Sequence, residues 1–195
     1  MKLVFATNNL NKLSELQDLL PANIELLGLK DIGCNQELPE TQNTLEGNAM
    51  QKAEFVFEHF GYNCFADDTG LEVGALKNEP GVYSARYAGN NVSYQDNVNK
   101  LLIELDGVPR ENRKAKFRTV VTYIDKNDEL WTEGHIDGII SENIIGDGGF
   151  GYDPIFFVPH IGKTFAELSS AEKNKISHRG IALQKLRKIL INVLK

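Results

Sequence analysis

The chain has 195 residues, of which 42% are hydrophobic and 25% charged, so it is long enough for one sizeable core and is globular in composition. The formal net charge of -6 and the pI near 5.3 argue against a nucleic-acid partner, which would require a basic surface. We therefore expect a single domain over residues 1–195, with any bound phosphate belonging to a small molecule.

Cysteine spacing and the amino terminus bear on the compartment. Cys34 and Cys64 lack CxxC spacing and a companion histidine cluster, which favours free thiols in a reducing environment. Residues 1–6 run directly into polar residues without a long apolar segment, so neither a signal peptide nor a membrane span is predicted. We expect a cytoplasmic protein with no membrane partner.

The first predicted element is a strand over Leu3–Ala6, which leads into the polar loop Thr7-Asn8-Asn9-Leu10-Asn11-Lys12. A helix is predicted next, with Asn8 or Asn9 as its cap. Amide hydrogens of a first helical turn, together with the ammonium group of Lys12, would form an anion site. An ordinary capped helix with a surface lysine explains the same pattern equally well. The helix has an apolar stripe formed by Leu13, Leu16 and Leu20.

A second strand is predicted over Ile24–Leu27, followed by a polar loop that carries Glu40. From Thr44 the pattern is helical, and Lys52 lies beside its apolar face. A loop glutamate is usually solvated, and such a lysine usually extends its ammonium group to solvent. Glu40 could share a divalent ion with Asp68 only if the fold brings the two carboxylates together.

The stretch Phe65-Ala66-Asp67-Asp68-Thr69-Gly70 is the centre of the functional prediction. An apolar strand is expected to end at Ala66 and to deliver the carboxylates to a cleft, with Gly70 as a flexible exit. Leu71–Val73 are expected to continue as strand after it. Side chains alternate across a strand, so Asp67 and Asp68 should point to opposite faces. The alternative is a solvated turn.

The middle of the chain is predicted to contain a helix and a long hairpin, and the hairpin is expected to serve as scaffold or as an interface. Ser93 and Asp96 form a capping-box pattern at the start of a helix. Two runs rich in β-branched residues, Phe117–Ile124 and Leu130–Ile140, predict a long hairpin around a turn at 125–128.

A glycine-rich segment with two aromatic residues follows, from Gly146 to Pro154. So many glycines are unfavourable unless the backbone must lie against something flat or tight, and a purine base stacked on Phe150 would meet that need. A turn that tucks aromatic side chains into the core is the alternative. The spacing matches neither a Walker loop nor a dinucleotide fingerprint.

The last predicted helix has Ser177 as its N-cap, which places His178 and Arg179 in its first turn. Cations are disfavoured there by the helix dipole. Either an anionic or carbonyl-bearing ligand or a salt bridge within the protein would account for them.

Five separated blocks of the sequence together resemble the inosine/xanthosine triphosphate pyrophosphatase family. The blocks, which occur in the same order over nearly the whole chain, are 7–12, 66–71, 81–87, 150–154 and 177–180. The resemblance implies an α/β fold with an elongated central mixed sheet, flanking helices and two lobes around a cleft. It also implies a homodimer that uses Mg²⁺ to convert ITP, dITP or XTP to the nucleoside monophosphate and pyrophosphate.

The resemblance also assigns roles to individual residues. Asp68 matches the catalytic carboxylate and magnesium contact, and Glu40 falls at an acidic, metal-associated position, although its loop lacks the glycine often found there. Thr69 replaces the commoner serine and keeps the hydroxyl. The substrate-binding positions implied are Thr7, Asn8, Asn9, Leu10, Asn11 and Lys12 for the triphosphate, Lys52 and Thr69 beside it, and Phe150, Gly151, Tyr152, Asp153, Lys173, His178 and Arg179 for the base.

Two other functions remain open from the residues. One is a pyrophosphatase for pyrimidine or modified-base nucleotides on the same fold, and the other is a nucleotide sensor without catalysis. A haloacid-type phosphatase is disfavoured, because the Asp67-Asp68-Thr69-Gly70 order differs from DxDGT.

Overall fold

The computed structural model describes residues 2–9, 12 and 23–193. The helices of this part of the chain are α1 (Leu45–Phe60), α2 (Tyr94–Glu104), α3 (Ser170–Ile176) and α4 (His178–Val193). The strands are β1 (Lys2–Phe5), β2 (Glu25–Leu27), β3 (Cys64–Val73), β4 (Glu79–Gly81), β5 (Lys114–Ile124), β6 (Glu129–Ile140), β7 (Phe156–Val158) and β8 (Lys163–Thr164).

The strands form one mixed sheet, as the family resemblance implies. Its hydrogen-bonded order is β2-β1-β3-β5-β6-β7-β8, and β4 pairs with β3 outside this path. Strand β1 runs parallel to β2 and β3, whereas β4, β7 and β8 make antiparallel pairs. The predicted α/β class with a central mixed sheet is confirmed.

The chain divides into two compact units. The first unit comprises Met1–Asp68, Thr119–Gly134 and Arg179–Lys195, and the second comprises Thr69–Arg118 and His135–His178. Strands β3, β5 and β6 contribute residues to both. The single domain and the cleft between two lobes stay predictions.

In the first unit, β1 and the start of β3 are buried on both faces. Leu3, Phe5 and Phe65 pack in a cluster with residues of α4, and the rings of Phe5 and Phe65 stack at 4.7 Å. The neighbouring residues Val4 and Ala66, which point to the other face of their strands, pack in a second cluster with residues of α1. Alternation along each strand therefore assigns one face to α4 and the other to α1.

The second unit has its own core, in which α2 packs against strand residues. The apolar side of α2 meets Leu71 and Val73 of β3. An aromatic group completes this core, with the rings of Phe117 and Phe156 4.6 Å apart and those of Phe156 and Phe165 5.0 Å apart.

Most of the predicted helix starts are confirmed where the structure describes them. Thr44 caps α1 by accepting a hydrogen bond from the amide of Gly47 at 3.0 Å. Ser93 and Asp96 form the predicted capping box at the start of α2. The predicted helix with Leu13, Leu16 and Leu20 lies outside the described residues.

One prediction about local structure is wrong, and one helix was not predicted. Strand β3 does not end at Ala66 but continues without a break to Val73, so it includes the predicted strand at Leu71–Val73; it is hydrogen-bonded between β1 and β5, which keeps the backbone extended. Helix α3, which opens with a capping box between Ser169 and Glu172, was not predicted. That Ser-x-x-Glu spacing was visible in the sequence.

The long hairpin is confirmed, and its turn is organised by Asp125. One oxygen of the Asp125 side chain, Oδ1, accepts hydrogen bonds from the amides of Asn127 at 2.7 Å and Asp128 at 2.8 Å. The other, Oδ2, accepts from the hydroxyl of Tyr123 at 2.8 Å.

Both cysteines are free and buried. Among residues 2–9, 12 and 23–193, every helix is too short or too polar to cross a membrane.

Replacing Asp125 by Asn should change how stability depends on pH. Burial raises the pKa of Asp125, but the three hydrogen-bond donors outweigh it and hold the pKa below its ordinary value. The ionised form therefore stabilises the fold above the unfolded-state pKa of about 3.9, and this contribution is lost as the pH falls further.

The measurement is urea unfolding of the parent and Asp125→Asn proteins between about pH 7 and pH 3. We expect a constant difference in unfolding free energy near neutral pH that shrinks below about pH 4. A difference independent of pH would contradict the assignment.

Candidate active site

The two adjacent aspartates lie in the interior of β3 and project to opposite faces. Asp67 is 1% exposed and Asp68 is 8% exposed, which excludes a solvated turn. By strand alternation Asp67 shares a face with Phe65, toward α4, and Asp68 shares a face with Ala66, toward α1. The predicted opposite orientation is confirmed by their separate partners.

Asp68 meets two side chains of α1 that lie one helical turn apart. The ammonium group of Lys52 donates to Oδ1 of Asp68 at 3.2 Å, and the amide of Asn48 donates to Oδ2 at 3.2 Å. The same ammonium group also donates to Glu40 at 2.5 Å. The structure therefore brings Glu40 and Asp68 to one cation, which was the condition for a shared site.

The electrostatics of this cluster follow from its burial. Burial alone would lower the pKa of Lys52, but the carboxylates of Asp68, Glu40 and Asp67 outweigh it and raise the pKa, so the ammonium form is favoured. Burial raises the pKa of Asp68, and the ammonium groups of Lys52 and Lys12 oppose this without cancelling it.

Asp67 binds two cations on the other face. The ammonium group of Lys12 donates to Oδ1 at 2.8 Å, and Nε of Arg179 donates to Oδ2 at 3.3 Å. Burial opposes ionisation of Asp67, but Lys12, Arg179 and Lys52 outweigh it and lower its pKa. Arg179 lies in the first turn of α4, so an internal carboxylate accounts for a cation at that position.

The predicted triphosphate loop is described in part. The hydroxyl of Thr7 accepts a hydrogen bond from the amide of Asn9 at 3.2 Å, and the carbonyl of Asn9 accepts from the amide of Lys12 at 3.1 Å. Asn8 lies between them on the same turn. Leu10 and Asn11 lie outside the described residues.

The predicted base loop is organised by Asp153 in the second unit. This carboxylate is 3% exposed, and its Oδ2 accepts from the amide of Phe150 at 2.8 Å and from the ammonium group of Lys173 at 2.7 Å. That ammonium group lies 4.7 Å from the centre of the Phe150 ring. Gly149 has φ +71°, and a Cβ there would overlap the Asp153 carboxylate, so glycine is required.

The remaining predicted residues of the second unit lie in different surroundings. Tyr152 is buried and its hydroxyl donates to the carbonyl of Ser84 at 2.9 Å. His178 is buried with its ring stacked on Phe117 at 4.6 Å. Gly151 adopts φ +62° in the loop, and Thr69 follows Asp68 on β3, partly buried.

Comparison with known proteins decides the family. The model of the Ham1 family matches residues 3–189. The chain belongs to the Ham1 family. The fold agrees, since this Ham1-family chain superposes on the Ham1 proteins of Staphylococcus aureus and Coxiella burnetii with TM-scores of 0.89 and 0.90. Each is 37% identical to it, and each comparison covers 98% of this chain and 99% of the other.

Named relatives are closer in sequence. The dITP/XTP pyrophosphatase of Flavobacterium johnsoniae is 52% identical over 186 residues, which cover 95% of this chain and 96% of the relative. The dITP/XTP pyrophosphatase of Porphyromonas gingivalis is 50% identical over 190 residues, 97% of each chain. The family resemblance found in the sequence is confirmed.

The acidic residues of this Ham1-family chain suit a magnesium ion. Mg²⁺ is usually bound by one or two carboxylates, with water and substrate phosphates completing its shell. Asp68 and Glu40 meet at one ammonium group and could supply that pair. Among the described residues, no three His, Cys, Asp or Glu side chains converge in a metal-binding group. The pair Asp68 and Glu40 thus matches the one or two carboxylates that Mg²⁺ usually takes from a protein.

Sequence reasoning missed two features of this site. One is Asn48, which resembled an ordinary polar residue beside a buried helix face and is 1% exposed. Its spacing of four residues from Lys52 was the available indication that both contact the same group. The other is the pairing of Arg179 with Asp67, which are 112 residues apart and share no local pattern.

Replacing Asp67 by Ala should strongly destabilise the first unit. The substitution removes a carboxylate shared by Lys12 and Arg179, and breaking a buried ion pair from one side costs about 3–5 kcal/mol. The measurement is the free energy of unfolding in urea at neutral pH.

The matched control is Glu72→Ala, which removes an ion pair with Lys116 whose side chains are 20% and 38% exposed. An exposed pair contributes at most about 1 kcal/mol. Equal losses for Asp67→Ala and Glu72→Ala would contradict a buried, stabilising network at Asp67.

Proposed function

We propose that this chain hydrolyses non-canonical purine nucleoside triphosphates, namely dITP, XTP and ITP, to the nucleoside monophosphate and pyrophosphate. The observation that carries the proposal is the cluster in which the exposed carboxylate of Glu40 and the buried carboxylate of Asp68 meet the ammonium group of Lys52. The two carboxylates of this cluster can bind a metal ion and orient water, and the ammonium group of Lys52 can bind phosphate. The naming of relatives at 50–52% identity as dITP/XTP pyrophosphatases supports the same substrate class.

Triphosphate binding is assigned to the loop Thr7–Lys12 and to Lys52. Several negative charges must be held close together, and ammonium groups and backbone amides are the groups that offset them. Lys12 and Lys52 extend from opposite sides of the Asp67-Asp68 pair. The hydroxyl of Thr69, next to Asp68 in the chain, would add a neutral hydrogen bond to the phosphates.

Magnesium is assigned to Asp68 and Glu40. When bound there with the substrate, it would supply positive charge at the phosphate oxygens and lower the pKa of a coordinated water. Each oxygen of Asp68 accepts one hydrogen bond, from Asn48 or Lys52, and has a second lone pair that would face the ion or the attacking water.

The reaction requires water to attack the α-phosphorus. A bond forms between the water oxygen and the α-phosphorus, the bond to the bridging oxygen breaks, and Asp68 accepts the proton of the water. Negative charge grows on the departing pyrophosphate, and the ammonium groups of Lys12 and Lys52 stabilise it. The products are the monophosphate and pyrophosphate.

Base recognition is assigned to the loop Phe150–Asp153 with Lys173, His178 and Arg179. The ring of Phe150 supplies a stacking surface, and Asp153 holds Lys173 beside it. Hypoxanthine and xanthine present an acceptor at position 6 and a donor at N1, whereas adenine presents the reverse. A donor placed for the 6-oxo group would face a donor of adenine and stay unpaired, which is how a site rejects the wrong base.

A homodimer and a cytoplasmic location complete the proposal. The homodimer follows from the family resemblance, and the location follows from the cysteine spacing and the polar residues that follow the first strand. The free, buried state of Cys34 and Cys64 supports a reducing compartment, and burial raises the pKa of the Cys64 thiol to about 12, which keeps it unreactive.

The test is a panel of nucleoside triphosphates with Mg²⁺, in which both the rate and the phosphate product are measured. We expect dITP, XTP and ITP to yield pyrophosphate, with ATP slower by a factor on the order of 10⁴. Asp68→Asn should keep its thermal unfolding temperature and lose about 10²- to 10⁴-fold in kcat. Orthophosphate as the product, or equal rates with ATP, would exclude the proposed reaction.

Replacing Phe150 by Ala should weaken binding of the base. Stacking of a base on an aromatic ring contributes about 1–3 kcal/mol, so KM for dITP should rise about 5- to 150-fold while kcat changes less. Trp131→Ala removes an aromatic side chain that is 58% exposed on β6 and serves as the control. An unchanged KM in Phe150→Ala would remove Phe150 from the base site.

A further inference from the structure

Asn48 lies at the junction of the acidic residues, and no role has yet been assigned to it. It is in the first turns of α1 and is 1% exposed. Burial of an amide is unfavourable unless its donor and acceptor both find partners. In Asn48 both do, and the two partners belong to separate parts of the site.

The donor side of the amide holds the catalytic carboxylate. Nδ2 of Asn48 donates to Oδ2 of Asp68 at 3.2 Å, while Lys52 donates to Oδ1 of the same carboxylate at 3.2 Å. Residues four apart lie on one face of a helix. Two side chains of helix α1 therefore donate hydrogen bonds to the two oxygens of Asp68. Together they fix the rotation of the carboxylate about its Cβ–Cγ bond.

The acceptor side of the amide holds the loop that carries Glu40. Oδ1 of Asn48 accepts a hydrogen bond from the backbone amide of Gln42 at 2.9 Å. The loop lies close against the helix, since a Cβ added at Gly47 would come within 2.7 Å of the Gln42 Cβ atom. One side chain thus joins the Glu40 loop to Asp68.

The orientation of the amide follows from its neighbours. A backbone N–H requires an acceptor and a carboxylate requires a donor, so only one of the two amide orientations satisfies both. An inverted amide would set its oxygen against Asp68 and its NH₂ group against the Gln42 N–H. The position therefore requires a planar group with one acceptor and one donor.

We propose that Asn48 is a positioning residue for hydrolysis, which holds Asp68 and the Glu40 loop in the relative arrangement that the reaction needs. This inference rests on the proposed function, because it deepens the role of the same site. Asn48 acts through Asp68 and touches no reacting atom. Residues that orient metal-binding carboxylates typically affect activity by about 10- to 100-fold.

Gln51 provides a matched control, because it also joins helix α1 to the Glu40 loop but does so away from Asp68. Its side chain exchanges two hydrogen bonds with Thr41, from the Thr41 amide at 3.0 Å and to the Thr41 hydroxyl at 2.9 Å. Gln51 thus ties the same loop to the same helix through Thr41, whereas the hydrogen bonds to Asp68 come from Asn48 and Lys52. A variant at Gln51 loosens the loop and leaves the hydrogen bonds of Asp68 in place.

The experiment compares Asn48→Ala, Asn48→Asp and Gln51→Ala with the parent enzyme, using dITP, Mg²⁺ and thermal unfolding. We expect kcat to fall about 10- to 100-fold in Asn48→Ala with a smaller change in KM, and Gln51→Ala to keep a kcat near that of the parent. Asn48→Asp keeps the size of the side chain and an acceptor for Gln42, but it replaces the donor to Asp68 by a carboxylate oxygen that repels it, so its kcat should fall as well.

Two results would overturn the inference: kcat in Asn48→Asp equal to that of the parent, or equal losses in Asn48→Ala and Gln51→Ala. If Asn48→Ala does not fold, Asn48→Asp decides alone. Failure of the proposed function has a different signature, because the parent would then be inactive on dITP or Asp68→Asn would retain activity.

Discussion

Neutralisation of two adjacent carboxylates inside a buried strand is the constraint on which the site depends. Asp67 and Asp68 lie on β3, where both faces are covered by helices. Neither could stay ionised there without cations and hydrogen-bond donors nearby. Strand geometry turns the two side chains apart, so each face must supply its own partners. Helix α1 does so for Asp68, whereas Lys12 and Arg179 do so for Asp67.

The same solution occurs at the base loop of the second unit. Asp153 is buried, binds Lys173 and accepts the amide of Phe150, so the charge pair also fixes an aromatic side chain. In both units a buried carboxylate holds groups that the proposed reaction uses, and its hydrogen bonds limit how those groups can move. Preorganisation of this kind favours catalysis because little reorganisation is left for the moment of reaction.

Local patterns in the sequence predicted much of this protein. The hairpin, the capping box at Ser93 and Asp96 and the buried strands follow from residue type and from the period of hydrophobic residues, both of which act over a few positions. The break expected after Ala66 was wrong because β3 is hydrogen-bonded between β1 and β5 in the sheet, which overrides the local preference for a turn at Asp67–Gly70. Helix α3 was missed even though its capping box was visible between Ser169 and Glu172.

By itself, the sequence determined the family, through five blocks whose order and composition are more specific than any single motif, and it selected Asp68 as the catalytic candidate. Only the tertiary structure decided which groups surround that carboxylate. Arg179 pairs with a residue 112 positions away, and Asn48 connects Asp68 to the loop at Gln42. Such contacts depend on how helices pack against a strand, and a local sequence pattern does not specify that packing.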